Sequence, residues 1–161
     1  MLLHLCEWLE QVSWIVAINS SVVLATIVEF AHYTGFFLLV GSIAILDLRV
    51  LGLAARRQSA ASLASQLFPW MCTGLVSAFL SGFIMFAGDA TAFARAAIFG
   101  VKILVVLLAV VAGIIVQWNV PRWDRAPSMS IGAKLLAFIS LALWIGAILA
   151  AVEVPAISGI G

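Results

Sequence analysis

Apolar residues along this chain fall into four long runs, preceded by a short segment in which they recur at helical spacing. Crossing a hydrocarbon core takes ~20 residues of helix. The first run covers residues 21–53, with its apolar heart between Val22 and Leu46; the others cover 67–87, 93–120 and 131–154. In lipid a spanning segment must satisfy its own backbone hydrogen bonds, so each run is expected to be a helix. A transmembrane barrel would need short alternating segments, and the runs do not alternate. Polar stretches punctuate them: Arg56-Arg57-Gln58-Ser59, Gly88-Asp89-Ala90-Thr91, and Pro121 to Met129. Pro69 falls in the first turn of the second span, where its missing N–H is tolerated. Pro121 and Pro155 are expected to end the third and fourth spans. Short loops between consecutive spans predict an all-α, antiparallel, up-and-down four-helix membrane bundle.

Residues 1–18 read differently. Leu2, Leu5, Leu9, Val12 and Val16 share one helical face, while His4, Glu7, Glu10 and Gln11 collect elsewhere. This is the pattern of one amphipathic helix lying in the interface, distinct from a membrane domain of residues 19–161. A cleaved signal peptide fits poorly, because no Lys or Arg precedes the apolar part and acids interrupt it. Asn19-Ser20-Ser21 supplies turn and N-cap residues for the first span.

Composition points the same way. Of 161 residues, 65% are hydrophobic and only 9% charged, too few to cover a water-soluble domain. Without a basic stretch, and with a net charge of +1, nucleic acid is not an expected partner; the lipid bilayer is. Arg49, Arg56, Arg57, Arg122, Arg125 and Lys134 fall on one side of the spans, and only Arg95 and Lys102 fall toward the other. The positive-inside rule makes the first side cytoplasmic, leaving both termini on the periplasmic side of a bacterial inner membrane. Trp8 and Trp14 at the outer interface and Trp70, Trp118 and Trp123 at the inner one form the expected aromatic belts. Trp144, in mid-span, is the exception.

The second span carries small residues at Gly74, Ala78 and Gly82, and the fourth at Ala142, Gly146 and Ala150. Such stripes let helices approach closely, within one chain or across a homodimer, and packing within the chain is the simpler expectation. Cys6 and Cys72 should lie at different depths, which argues against a disulfide. Asp47 and Arg49 read as interfacial charges, and Gln117 and Asn119 as hydrogen-bonding groups between helices.

Ionisable groups inside a bilayer are costly and mark candidate sites. Glu29 and His32 lie three apart and share a helix face. Lys102 and Glu153 fall in the outer halves of the third and fourth spans, and Met85 and Asp89 close the second on the same side. Each span thus sends a polar or soft group to the outer half, where His4, Cys6 and Glu7 of the amphipathic helix could cap the cluster. Three chemistries suit the set. A metal site would draw on His32, Glu29, Glu153, His4 and Cys6, a mixture suited to copper. A b-type haem would use His32, the one histidine within a span, with Met85 or a second protomer supplying the other axial position. A relay of Glu29, His32, Lys102 and Glu153, with Asp89 in the polar network, would handle protons. The plain alternative is structural: Glu29 and Lys102 neutralise each other, Lys102 snorkels to headgroups, and His32 bonds a carbonyl.

The stretch Glu29 to Gly52, with His-x-x-Gly at His32–Gly35, Gly41 and Asp47-Leu48-Arg49, resembles the first span of a group of small, uncharacterised bacterial inner-membrane proteins. Phe99-Gly-Val-Lys102 with the apolar run to Asn119 is similar to a span of the copper-resistance D family. Together these segments cover about a third of the chain. The resemblance implies an inner-membrane bundle linked to copper or to b-type cytochrome membrane subunits, although the chain has few histidines and methionines for either.

The expected function is therefore an electron-transfer or periplasmic copper-handling protein that holds haem b or a metal in its outer half, centred on His32. The alternatives are an accessory subunit docked to a larger membrane complex and a proton-coupled carrier. No nucleophile–base pair suggests an enzyme.

Overall fold

The computed structural model describes residues 2–158, and the side chains of residues 3–151. It is all-helical over that range: α1 (Leu2–Glu10), α2 (Ser13–Asn19), α3 (Val22–Leu51), α4 (Ala60–Gly88), α5 (Ala90–Arg95), α6 (Ala97–Trp123) and α7 (Ile131–Ser158). Helices α3, α4, α6 and α7 are each long and apolar enough to cross a membrane, and they form an antiparallel bundle. The chain is a multi-pass membrane protein. The end carrying Arg49, Arg56, Arg57 and Arg122 is called the basic end here; α1, α2 and α5 lie at the other, the amino-terminal end.

Local chemistry sets the helix limits. Ser21 caps α3 by accepting a hydrogen bond from the Leu24 amide, and Gly52 ends it in the left-handed region at φ 78°. Helix α4 starts a full two turns earlier than its apolar run predicts. Ser59 accepts from the Ser62 amide, and the Asp124 carboxylate, arriving from the end of α6, accepts from the amides of Ala60 and Ala61 at 3.1 and 3.2 Å. Those orphan N–H groups need partners before the helix can begin there. Pro69 consequently sits well inside α4 and not in its first turn. Pro121 does not end α6, which continues to Trp123, and α7 runs past Pro155 to Ser158. The third apolar run is broken at Ala96, whose extended backbone separates α5 from α6. The single amphipathic helix expected over residues 1–18 is two short helices, separated at Gln11 and Val12.

Helix α3 packs most extensively on α4, and α6 on α7; α3 also meets α7, whereas α4 and α6 touch sparsely. The small-residue stripe of α4 is spent inside the chain. A Cβ added to Gly74 would lie 2.6 Å from the Leu39 nitrogen and 2.7 Å from the Gly35 oxygen, so the two backbones are in contact there. At the basic end Leu46, Val50, Val116, Val120 and Ala137 close into a core. Gln117 crosses it as expected, donating to the Ala64 carbonyl at 3.0 Å; Asn119 instead bonds Ile115 within its own helix. Trp144 is buried against Phe36, which explains its position far from either interface. Asp47, expected as an interfacial charge, has no exposed surface and lies where α7 packs over α3.

Candidate functional site

Close approach of α3 and α4 at Gly35 and Gly74 decides what happens one turn further out. There the edge of the His32 ring meets Gly82, where an added Cβ would come within 2.9 Å of Cε1. His32 Nδ1 is 3.0 Å from the Ala78 carbonyl oxygen, which can only accept, so Nδ1 carries the proton and donates. The Ser81 hydroxyl lies 3.3 Å from the same nitrogen and donates to the Ser77 carbonyl at 2.5 Å. Ser77 in turn donates to the Ala31 carbonyl at 3.0 Å. This ladder fixes the imidazole and its tautomer, and leaves the Nε2 lone pair without a partner among the described residues. A hydrogen bond on one ring nitrogen that frees the other is the usual arrangement of a ligating histidine.

At the amino-terminal end, the sparse contact between α4 and α6 opens a cleft. One cavity, about 400 Å³, is walled by His32, Met85 and Lys102 together with Phe83, Phe86 and Phe99, and Trp144 forms part of its floor. A second, about 600 Å³, shares His32, Phe36, Met85, Phe93, Lys102 and Val106 with the first. It reaches up to Ile18 and Asn19 of α2 and out to Glu29 and Asp89. Cavities of this size hold small molecules and cofactors. Three lining rings cluster: Phe86 stacks on Phe99 at 5.5 Å, and Phe93 lies tilted against Phe99 at 4.9 Å. The walls of the first cavity are largely apolar and aromatic, with His32, Lys102 and Met85 among the residues lining it.

The candidate residues divide accordingly. His32, Met85 and Lys102 come together on the cleft, and Glu29 and Asp89 reach the edge of the second cavity, both exposed. The expected pairing of Glu29 with Lys102 is not made; no carboxylate among the described side chains lies within 4.0 Å of Lys102. His4 and Cys6 do not cap the cleft. His4 pairs with Glu7 on the exposed face of α1 at 3.3 Å, while Cys6 is buried on the opposite, packed face. An amphipathic helix separates its faces in just this way, so His4 and Cys6 could not both reach down. The cap is α2, through Ile18 and Asn19. Glu153 lies in α7, but its side chain is outside the described residues. Among those described, no three His, Cys, Asp or Glu side chains gather as a metal site would require.

Compared with known protein families, curated proteins and solved structures, the chain matches none. The likeness to the copper-resistance D family and to the small inner-membrane group thus rests on short motifs alone. One of those motifs, His32–Gly35, has a clear physical meaning here: the glycine brings α4 close, and the histidine uses that closeness to bond Ala78. The aromatic wall was not singled out from the sequence. Phe83, Phe86 and Phe99 are indistinguishable there from lipid-facing residues, and only the divergence of α4 from α6 turns them into a lining.

Proposed function

We propose that the cleft binds haem b, with His32 as axial ligand, and that the protein is an electron-transfer component of a bacterial inner membrane, its termini on the periplasmic side. The observation that carries this reading is the state of His32: Nδ1 is anchored to the Ala78 carbonyl, Nε2 has no partner among the described residues, and the residue lines an aromatic-walled cavity. The residues present fit the group. A haem needs one strong nitrogen ligand and an apolar slot; Met85, which also lines the cleft, would be the candidate second ligand, and Lys102 would offer a cation for a propionate. When bound, such a group supplies one-electron redox chemistry, and the chain holds the imidazole, excludes water with its phenylalanines and neutralises charge with Lys102. Copper fits less well, because no cluster of three strong ligands supports it among the described residues.

A visible spectrum of the protein purified from membranes tests the proposal. The expected result is a Soret band with sharp α and β bands on reduction, lost in His32→Ala and changed in spin state in Met85→Ala. A colourless protein that also fails to take up added haem removes this reading. Stoichiometric recovery of a larger membrane partner with such a colourless protein would instead favour an accessory subunit.

A further inference from the structure

A second polar site lies toward the basic end from the cleft, touching it only at Trp144, and the haem reading does not use its carboxylate. Asp47 on α3 has no exposed surface, and neither of its carboxylate oxygens has a hydrogen-bond partner among the described residues. The Ser140 hydroxyl of α7 lies beside it, fully buried and outside good hydrogen-bonding geometry. One turn further along the same face of α7 is Trp144, buried with its indole N–H unpartnered. Buried polar groups are ordinarily bonded, so Asp47 and Ser140 left open side by side, with a third open group one turn along α7, point to an occupant.

The charge around Asp47 narrows the choice. Helix α4 contains no acidic or basic residue, and its titratable Cys72 is exposed. Helix α6 brings only Lys102, which lines the cleft, and Arg122, in its last turn. On α7 the described ionisable residue is Lys134, in its first turn; Glu153 is ~20 Å of helix rise from Ser140. On α3 itself, Glu29 and His32 belong to the other end, and Arg49 donates through Nε to the Gln58 carbonyl at 2.7 Å. No described basic group lies within 4.0 Å of the Asp47 carboxylate. An uncompensated carboxylate in such surroundings takes up a cation or a proton. A dehydrated metal cation needs about six oxygens, and this site offers three, since the helix carbonyls around it are engaged. A proton needs only one.

We propose that Asp47, with Ser140 beside it, is a proton-binding site that keeps one uncharged carboxylic acid in the core near the basic end. The proton resides on a carboxyl oxygen, and the Ser140 hydroxyl is the neighbour that can bond the carboxyl directly or through water, with the Trp144 N–H one turn further along α7.

Infrared spectroscopy of the full chain in lipid vesicles tests this. At neutral pH the wild type should show the carbonyl stretch of one un-ionised carboxylic acid per chain. Carbon-13 labelling of aspartate carboxyls should lower its frequency, Asp47→Asn should remove it, and Ser140→Ala should shift it. Asp89→Asn and Asp124→Asn should leave it in place. The labelling arm needs no variant, so it decides even if Asp47→Asn does not accumulate. A missing band, a band unmoved by the label, or one surviving in Asp47→Asn overturns the proposal. Loss of the band on adding sodium at constant pH also overturns it, in favour of a cation site.

Discussion

Gly74 has no room for a side chain, and the atoms that crowd it are backbone, which no rotamer change can move. Gly74→Ala is therefore expected to force α3 and α4 apart and to cost about 1–3 kcal/mol, the usual range for overpacking. Gly41, on the same helix as Gly35, meets nothing within 4 Å. Gly41→Ala should be neutral or stabilising by up to about 1 kcal/mol, because alanine is the better helix former. Thermal unfolding of both variants in one detergent compares them directly, and equal destabilisation would refute the close-contact argument. Gly82 behaves differently, since its neighbour is the tip of the His32 ring and not backbone. Gly82→Ala should displace the imidazole with little loss of stability, weakening cofactor uptake while the melting temperature stays near that of the wild type. A large drop in melting temperature with binding intact would reverse that assignment.

Among the elements, α1 and α5 are joined by one carboxylate. Glu10 accepts from the Thr91 amide at 2.6 Å and from the Thr91 hydroxyl, which caps α5 across a chain separation that local sequence does not reveal. Both Thr91 bonds hold the Glu10 carboxyl below its ordinary range, hydroxyl first, against a smaller opposing effect of burial. A lowered folded value means the contribution is present above the unfolded glutamate pKa of about 4.3 and is lost as pH falls through the folded one. Glu10 is partly exposed, so the effect is local. Its readout is Cys6, buried under α1. In a Cys72→Ser background, Glu10→Gln should make Cys6 react faster with a thiol reagent at neutral pH, by local opening of α1. An unchanged rate would show that α1 is held by packing alone. The four spans were legible because apolar run length decides them, and a separate helical segment before them because its period decides it. The break at Gln11 and Val12 was not legible, since no proline or glycine marks it and the apolar stripe runs straight through. The start of α4 was hidden too, because its cap is Asp124 from another helix. That carboxyl is raised by burial but lowered more by the Ala61 and Ala60 amides, the Ser59 hydroxyl and Arg49, and ends below its usual range. Asp47 read as an interfacial charge because its neighbour Arg49 is one; only the packing of α7 over α3 buries it.

At the scale of the molecule, two helix pairs, α3 with α4 and α6 with α7, join along the α3–α7 seam and at the basic end, and spread where the cleft lies. His32 and Lys102 were legible as intramembrane ionisable residues, yet their convergence depends on this spreading, which no single span encodes. Trp144 reports on it, sitting on the seam at 1% exposure and on the floor of the first cavity. Trp118, at 74% exposure, and Trp8, Trp14 and Trp70 face outward. Lipids with brominated acyl chains quench indoles they touch, whereas an occupant of the cleft would quench Trp144 from inside. The contribution of Trp144, obtained as the difference between wild-type and Trp144→Phe emission, should be nearly insensitive to brominated lipid while the remaining emission falls. Added haem should reverse the preference, quenching the Trp144 contribution first, and His32→Ala should abolish that effect. If brominated lipid quenches Trp144 as strongly as the others, the α3–α7 seam is open to the bilayer, and neither a closed cleft floor nor a core around Asp47 sealed from lipid can stand.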